Sequence, residues 1–130
     1  MATKIIHDLY ADKTLYMIAG STEYFRLTLR KETNSEVVDL SSVQNVEWFF
    51  TTFSVNENKA IIYKSLTDGN IILLQDYAGN YTGTIQVTLE SIDTMNLQGA
   101  FVHQIVITDG GGKRFTPFQG LIVIDRGIVR

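Results

Sequence analysis

Cysteine is absent from this chain of 130 residues, which excludes disulfide staples, thiolate metal sites and cysteine nucleophiles together. Proline occurs once, at Pro117, and no repeat, linker or low-complexity tract interrupts the sequence. Charge of one sign is scarce. Eleven Lys and Arg face 14 Asp and Glu for a net charge of −3, and the basic residues are scattered. Without a basic stripe, no nucleic-acid partner is expected. No apolar run approaches the length of a membrane span, so no membrane partner is expected either. The first residues, Met1 to Asp8, hold no stretch long enough for a secretory signal, because Asp8 interrupts them. The expectation is a protein made in a cytosol that stays there or leaves within an assembled particle.

What is present is apolar residues in strand-like alternation. The apolar content is 45% and the charged content 19%, the balance of a chain that buries a core rather than of a disordered one. Seven Phe, six Tyr and one Trp supply large rings for that core. The length matches one domain. The second half, from Asn70 to Ile124, shows no helical period. Thr84 to Leu89 and Phe101 to Ile107 each alternate apolar with polar residues, which sends Ile85, Val87, Leu89, Phe101, Ile105 and Ile107 to one side of a sheet. A short crossing, Ser91 to Gly99, separates these two strands. The tip Asp109-Gly110-Gly111-Gly112-Lys113 then leads to a last apolar strand, Gly120 to Ile124, with Pro117 just before it.

In the first half, Leu15 to Ile18 reads as a strand and Tyr24 to Arg30 as another, with Phe25, Leu27 and Leu29 facing inward. Val37 to Leu40 resumes an extended path, and Asp39 with Ser41 and Ser42 is placed to turn a corner. Val46, Trp48 and Phe50 share one face, which makes Trp48 the natural centre of the core and points Phe49 outward. Asp68-Gly69 marks a hairpin. Ile71 to Leu74 is apolar without alternation, as expected of a strand covered on both faces or packed on a neighbour. The sum is seven to nine short strands at sandwich spacing, with residues 1 to 12 as an N-terminal arm and residues 13 to 130 as the sandwich.

Catalytic patterns are thin. His7 and His103 lie far apart, and His103 falls between Phe101 and Ile105, the place of a half-buried histidine satisfied by backbone. No cluster has metal-ligand spacing, and no cofactor is expected. Ser41 and Ser42 near Asp39 fit a turn better than a nucleophile with its base. Glu47, Asp76, Glu90 and Asp93 could supply an acid pair, but nothing in the sequence positions them. The glycine tip at Asp109 lacks phosphate-loop spacing and joins strand to strand, so it reads as a flexible hairpin end. Tyr24, Phe49, Tyr77 and Tyr81 are the exposed aromatics, open to three readings: a partner interface, a sugar-stacking platform or ordinary sheet surface.

The order of these motifs resembles a known family. A Gly20-Ser21-Thr22 turn precedes Phe25-Arg26-Leu27-Thr28-Leu29, followed by Val38-Asp39-Leu40-Ser41-Ser42 and Val46-Glu47-Trp48-Phe49-Phe50. Gly83-Thr84-Ile85-Gln86-Val87-Thr88-Leu89, Asp93-Thr94, Leu97-Gln98-Gly99-Ala100-Phe101, Ile107-Thr108-Asp109-Gly110 and Gly120-Leu121-Ile122-Val123 complete the series. This succession resembles the immunoglobulin-like N-terminal domain of the upper baseplate proteins of tailed bacteriophages, over roughly residues 15 to 124. The resemblance implies an all-β, immunoglobulin-like antiparallel β-sandwich. It implies a non-enzymatic structural component of a phage virion, in the tail, the baseplate or the head decoration. The partners would be other virion proteins, with the chain present as a homo-oligomer or in repeated copies. The arm, through Ile5, Ile6, Leu9 and Tyr10, is expected to add to a neighbour's sheet edge, with Phe49, Tyr77 and Tyr81 as further contacts. The alternative is a carbohydrate-binding module that stacks a host-surface glycan on exposed rings.

Overall fold

A computed structural model describes residues 5–9, 14–30, 36–52 and 61–126, the first of these segments by its backbone. Nine strands and one helical turn follow in order: β1 (Ile5–Leu9), β2 (Leu15–Ile18), β3 (Glu23–Thr28), β4 (Asn45–Thr51), β5 (Ile62–Ser65), β6 (Ile71–Gln75), β7 (Tyr81–Leu89), α1 (Ser91–Thr94), β8 (Gly99–Thr108) and β9 (Arg114–Asp125). They form a four-stranded sheet, β1-β3-β7-β6, and a five-stranded sheet, β2-β9-β8-β4-β5. Most neighbours are antiparallel, but β1 runs parallel to β3 and β2 runs parallel to β9. The two N-terminal strands thus close one edge of each sheet.

The segment expected as a free arm is therefore in part a strand of the sandwich. Ile5 to Leu9 pair in register with Glu23 to Leu27 of the same chain. The physical reason is that β3 would otherwise present an edge of unpaired amides and carbonyls. Tyr10 lies outside the described residues. Ile71 to Leu74, open to being covered on both faces or packed on a neighbour, is the outer edge of the four-stranded sheet, paired with β7 on one side, with Ile71 buried and Ile72 exposed.

Alternation holds the two layers together. Phe25, Leu27, Leu29, Trp48, Phe50, Ile85, Val87, Leu89, Phe101, Ile105 and Ile107 are all buried in one cluster. Leu15, Met17, Leu40, Val46, Ile62, Ile71, Phe118, Ile122 and Ile124 join them from strands and loops around the rim. Burial on this scale supplies the main stabilising term, at roughly 25 cal/mol per Å² of apolar surface removed from water.

Three local departures have local causes. Residues 91–94 form a helical turn, where the Asp93 carboxylate accepts the Glu90 amide at 2.8 Å. Val37 to Leu40 makes only an isolated bridge between Val37 and Arg30 rather than a strand. Pro117 lies inside β9, next to a register shift opposite Ile105–Ile107 of β8, a place where a missing amide donor is tolerated.

Gly83 interrupts β7 with φ of 76°, and the β6–β7 register shifts between Leu73 and Gln75 beside it. Its carbonyl accepts the Leu29 amide at 2.8 Å, and Leu29 in turn accepts the Val38 amide at 2.8 Å. A Cβ at this position would stand 2.7 Å from the Val37 Cβ and 3.2 Å from the Val38 carbonyl oxygen. Gly83→Ala combines left-handed strain of about 1–2 kcal/mol with overpacking of about 1–3 kcal/mol. An unfolding free energy lowered by about 2–4 kcal/mol in urea denaturation is expected, and a loss under about 0.5 kcal/mol would contradict the tight approach of 36–40 to β7.

Candidate docking face

The two outer faces of the sandwich are written in different chemistry. On the four-stranded sheet, β3 and β7 turn Tyr24, Arg26 and Thr28 outward opposite Thr88, Gln86 and Thr84. These residues bond to one another: Arg26 Nε donates to Gln86 Oε1 at 3.1 Å, and the Thr28 and Thr84 hydroxyls meet at 2.8 Å. Among the described side chains this β3–β7 strip is mostly polar, with exposed Ile72 of β6 at its edge.

The five-stranded sheet presents the opposite. Its outward row Tyr16, Val123 and Ala100 crosses β2, β9 and β8. The next row is Leu121, Val102 and Thr51. A third runs Gln119, Gln104, Phe49 and Tyr63. Tyr16 is 62% exposed and Leu121 40% exposed, with exposed Ile18 on the same edge strand as Tyr16, and Ile61 and Tyr63 are exposed at the opposite, β5 edge. Large apolar groups on the solvent side of a sheet are worth explaining when they are contiguous rather than single.

Charge on this face lies at its ends, with Asp125 beside exposed Ile18 and a second group around Glu47. Glu47 accepts the Tyr63 hydroxyl at 2.7 Å and Arg114 Nη2 at 3.3 Å. That hydrogen bond to a carboxylate is the main reason the Tyr63 pKa lies above its ordinary value of 10.0, with burial adding to it. Phe49, expected to stand outward as a contact, is half-buried and packs on Tyr63 with ring centroids 5.2 Å apart. The corner is thus a small ordered cluster of two rings, one carboxylate and one guanidinium.

The other singled-out residues do not join it. Tyr77 is fully exposed in the β6–β7 turn, and Tyr81 flanks the same turn on the four-stranded sheet. Tyr81 also lines an open groove of about 440 Å³ with Leu40, Val43, Leu66, Ile71 and Leu73. Phe49, Tyr77 and Tyr81 therefore share no common face. Ile5, Ile6 and Leu9 are placed by backbone on β1.

The polar candidates are occupied by structural tasks. Asp76 accepts the Ala78 and Asn80 amides at 2.9 and 3.0 Å, and the Asn80 bond chiefly holds its pKa below the usual value. It sits at the far end of β7 from Glu90 and Asp93. Asp93 also pairs with Lys64 at 2.8 Å, with both side chains mostly buried. Asp39 accepts the Ser41 amide at 2.9 Å, a closed turn. In the glycine tip, Asp109 Oδ1 accepts the amides of Gly111 and Lys113 at 2.9 Å each, so the backbone donors that a phosphate would need are already taken. Among the described residues, no group of three or more His, Asp or Glu is placed to hold a metal.

His103 is fully buried rather than half-buried, and a side chain satisfies it rather than backbone. Trp48 Nε1 donates to its Nδ1 at 2.9 Å, while its Nε2 has no hydrogen-bond partner. Phe25 and Phe118 pack edge-on against the imidazole at 5.7 and 5.0 Å. Burial pushes its pKa down to about 3. A neutral, fully buried imidazole with one ring nitrogen bonded to Trp48 and the other without a partner, inside a ring-lined core, is a packing group.

The sequence did carry a signal for the apolar face. Leu15-Tyr16-Met17-Ile18 and Leu121-Ile122-Val123-Ile124 are apolar at every position. In a two-layer sandwich, such runs place apolar side chains on the solvent side as well as the core side.

These features define the class: an immunoglobulin-like, all-β sandwich. No protein-family model matches the chain, and no curated protein matches it. Among solved structures it is similar to auracyanin B, at 10% identity with a TM-score of 0.40, over 95% of this chain and 90% of that one. It is also similar to a chain of the crystal structure of ICOS in complex with ICOS-L and an anti ICOS-L VNAR domain, at 14% identity with a TM-score of 0.35. That match covers 88% of this chain and spans about half, 54%, of the other.

Proposed function

We propose that this protein is a structural component that works by docking to other proteins, without catalysis, and that its setting is the particle of a tailed bacteriophage. The single observation behind docking is the contrast between the two outer faces. Threonine, glutamine and arginine bond to one another on the four-stranded sheet, while Tyr16, Leu121 and Val123 stand at outward positions of the five-stranded sheet. A contiguous apolar patch with little charge suits a permanent interface better than a transient one. The order of strand and turn motifs along residues 15 to 124, which resembles the phage baseplate domain, supports the setting. In that setting the protein is made in the host cytoplasm and carried in the virion beside other virion proteins, in the tail, the baseplate or the head decoration.

The test is direct. Mass spectrometry of phage particles purified from a producing host should find this chain, in a number of copies that is constant from preparation to preparation. Particles that infect normally and lack the chain would overturn the setting.

A further inference from the structure

We propose that the outer face of the five-stranded sheet packs against the same face of a second copy of this chain, related by a twofold axis. The inference rests on the docking reading of that face and names its partner.

Three observations favour a second copy over an unrelated protein. The first is charge. A twofold interface brings each patch against itself, so a patch of one sign would repel its mate. The outward positions of β4, β8 and β9 carry the Glu47–Arg114 pair, joined at 3.3 Å, at one end and a single carboxylate, Asp125, at the other. The middle of the face is uncharged, so a twofold contact centred there opposes no like charges and gives a charged partner nothing to steer by. Homodimer interfaces share this apolar, charge-poor character.

The second is hydrogen bonding. Gln104 and Gln119 are cross-strand neighbours in the row between the apolar residues and the Glu47 corner. A primary amide both donates and accepts, so amides meeting their own copies across a twofold axis satisfy one another. A row of carboxylates or ammonium groups could not.

The third is size. The five strands, of 4, 12, 10, 7 and 4 residues, cover on the order of 600 Å² at about 3.3 Å per residue and about 4.8 Å between strands. That is the low end of what one partner contributes to an interface of standard size. Tyr16 on β2 stands in the row beside Leu121 on β9, and tyrosine is among the residues that anchor such contacts.

The experiment is sedimentation equilibrium on the full chain, with Leu121→Glu as the variant and concentrations up to about 100 μM, well above the dissociation constants of standard interfaces. The wild type is expected to run at twice its chain mass of 14.6 kDa. Leu121→Glu should weaken the dimer by about 100-fold or more while keeping its circular dichroism. Tyr16→Glu, at a 62% exposed position on the edge strand β2, is the second variant should Leu121→Glu fold poorly, and it should weaken the dimer likewise. A wild type that stays monomeric, or a dimer that both folded variants leave intact, overturns the inference. Failure here is separable from failure of the broader reading. A monomer found in particles sinks the twofold contact alone, and a dimer absent from particles sinks the setting alone.

Discussion

Trp48→Ala is expected to leave the chain largely unfolded at room temperature. The indole is fully buried between the two sheets, 5.5 Å from Phe25 and 5.7 Å from Phe50 by ring centroids. Truncation leaves a cavity of a kind that lowers stability by about 3–5 kcal/mol. It also removes the donor to His103 Nδ1. The imidazole then has no partner on either nitrogen, a further loss of about 1–3 kcal/mol. Together these approach the whole stability of a domain, about 5–15 kcal/mol. Trp48→Phe separates the two contributions, because it keeps most of the apolar bulk and drops the N–H. It should fold, with a stability about 2–4 kcal/mol below the parent by urea denaturation. A loss under about 1 kcal/mol in Trp48→Phe would show that the indole–imidazole bond does little for the core.

Between pH 7 and pH 5 the folded protein is expected to lose about 2 kcal/mol of stability through one residue, His103. Its imidazole accepts the Trp48 N–H and is buried, and burial lowers its pKa from 6.5 to about 3. The native state therefore stays uncharged there as the solution is acidified, whereas the unfolded chain takes up a proton below pH 6.5. Since the unfolded state binds more protons, stability falls as pH falls. The contribution is complete above pH 6.5 and disappears progressively down to about 3. Ordinary carboxylates titrate mostly below pH 5, so the upper part of this window isolates the histidine. Urea unfolding at the two pH values measures the loss, and the His7→Gln variant should show it undiminished because His7 is the other histidine of the chain. Equal stability at pH 7 and pH 5 would mean that His103 is hydrated or paired.

The core of the sandwich was legible because its signal is local. Phe25-x-Leu27-x-Leu29 and Ile85-x-Val87-x-Leu89 each declare an inward side within five residues, and the pleat converts that spacing into a face. The Trp48–His103 bond was not legible. It joins residues 55 positions apart on β4 and β8, and only the register of that pair decides which inward group meets which. The fate of Ile5 to Leu9 was obscured for a related reason. A five-residue stretch such as Ile5-Ile6-His7-Asp8-Leu9 fits a neighbour's sheet edge or its own equally well, and strand pairing is not written in composition. The docking face lay between these extremes. Tyr16, Ile18, Leu121 and Val123 were visible as apolar residues, but their outward side emerges only once Leu15, Met17, Ile122 and Ile124 are seen to fill the core.

The parallel pairing of β2 with β9 bears on how the molecule meets force. Leu15 to Ile18 lie alongside Ile122 to Asp125 and run in the same direction. A pull applied at the start of the first segment and the end of the last drags the two past each other lengthwise. All the hydrogen bonds between them then resist together, instead of opening one after another like a zip. Force entering at Leu15 and leaving at Asp125 would find its mechanical clamp there, along the seam between β2 and β9.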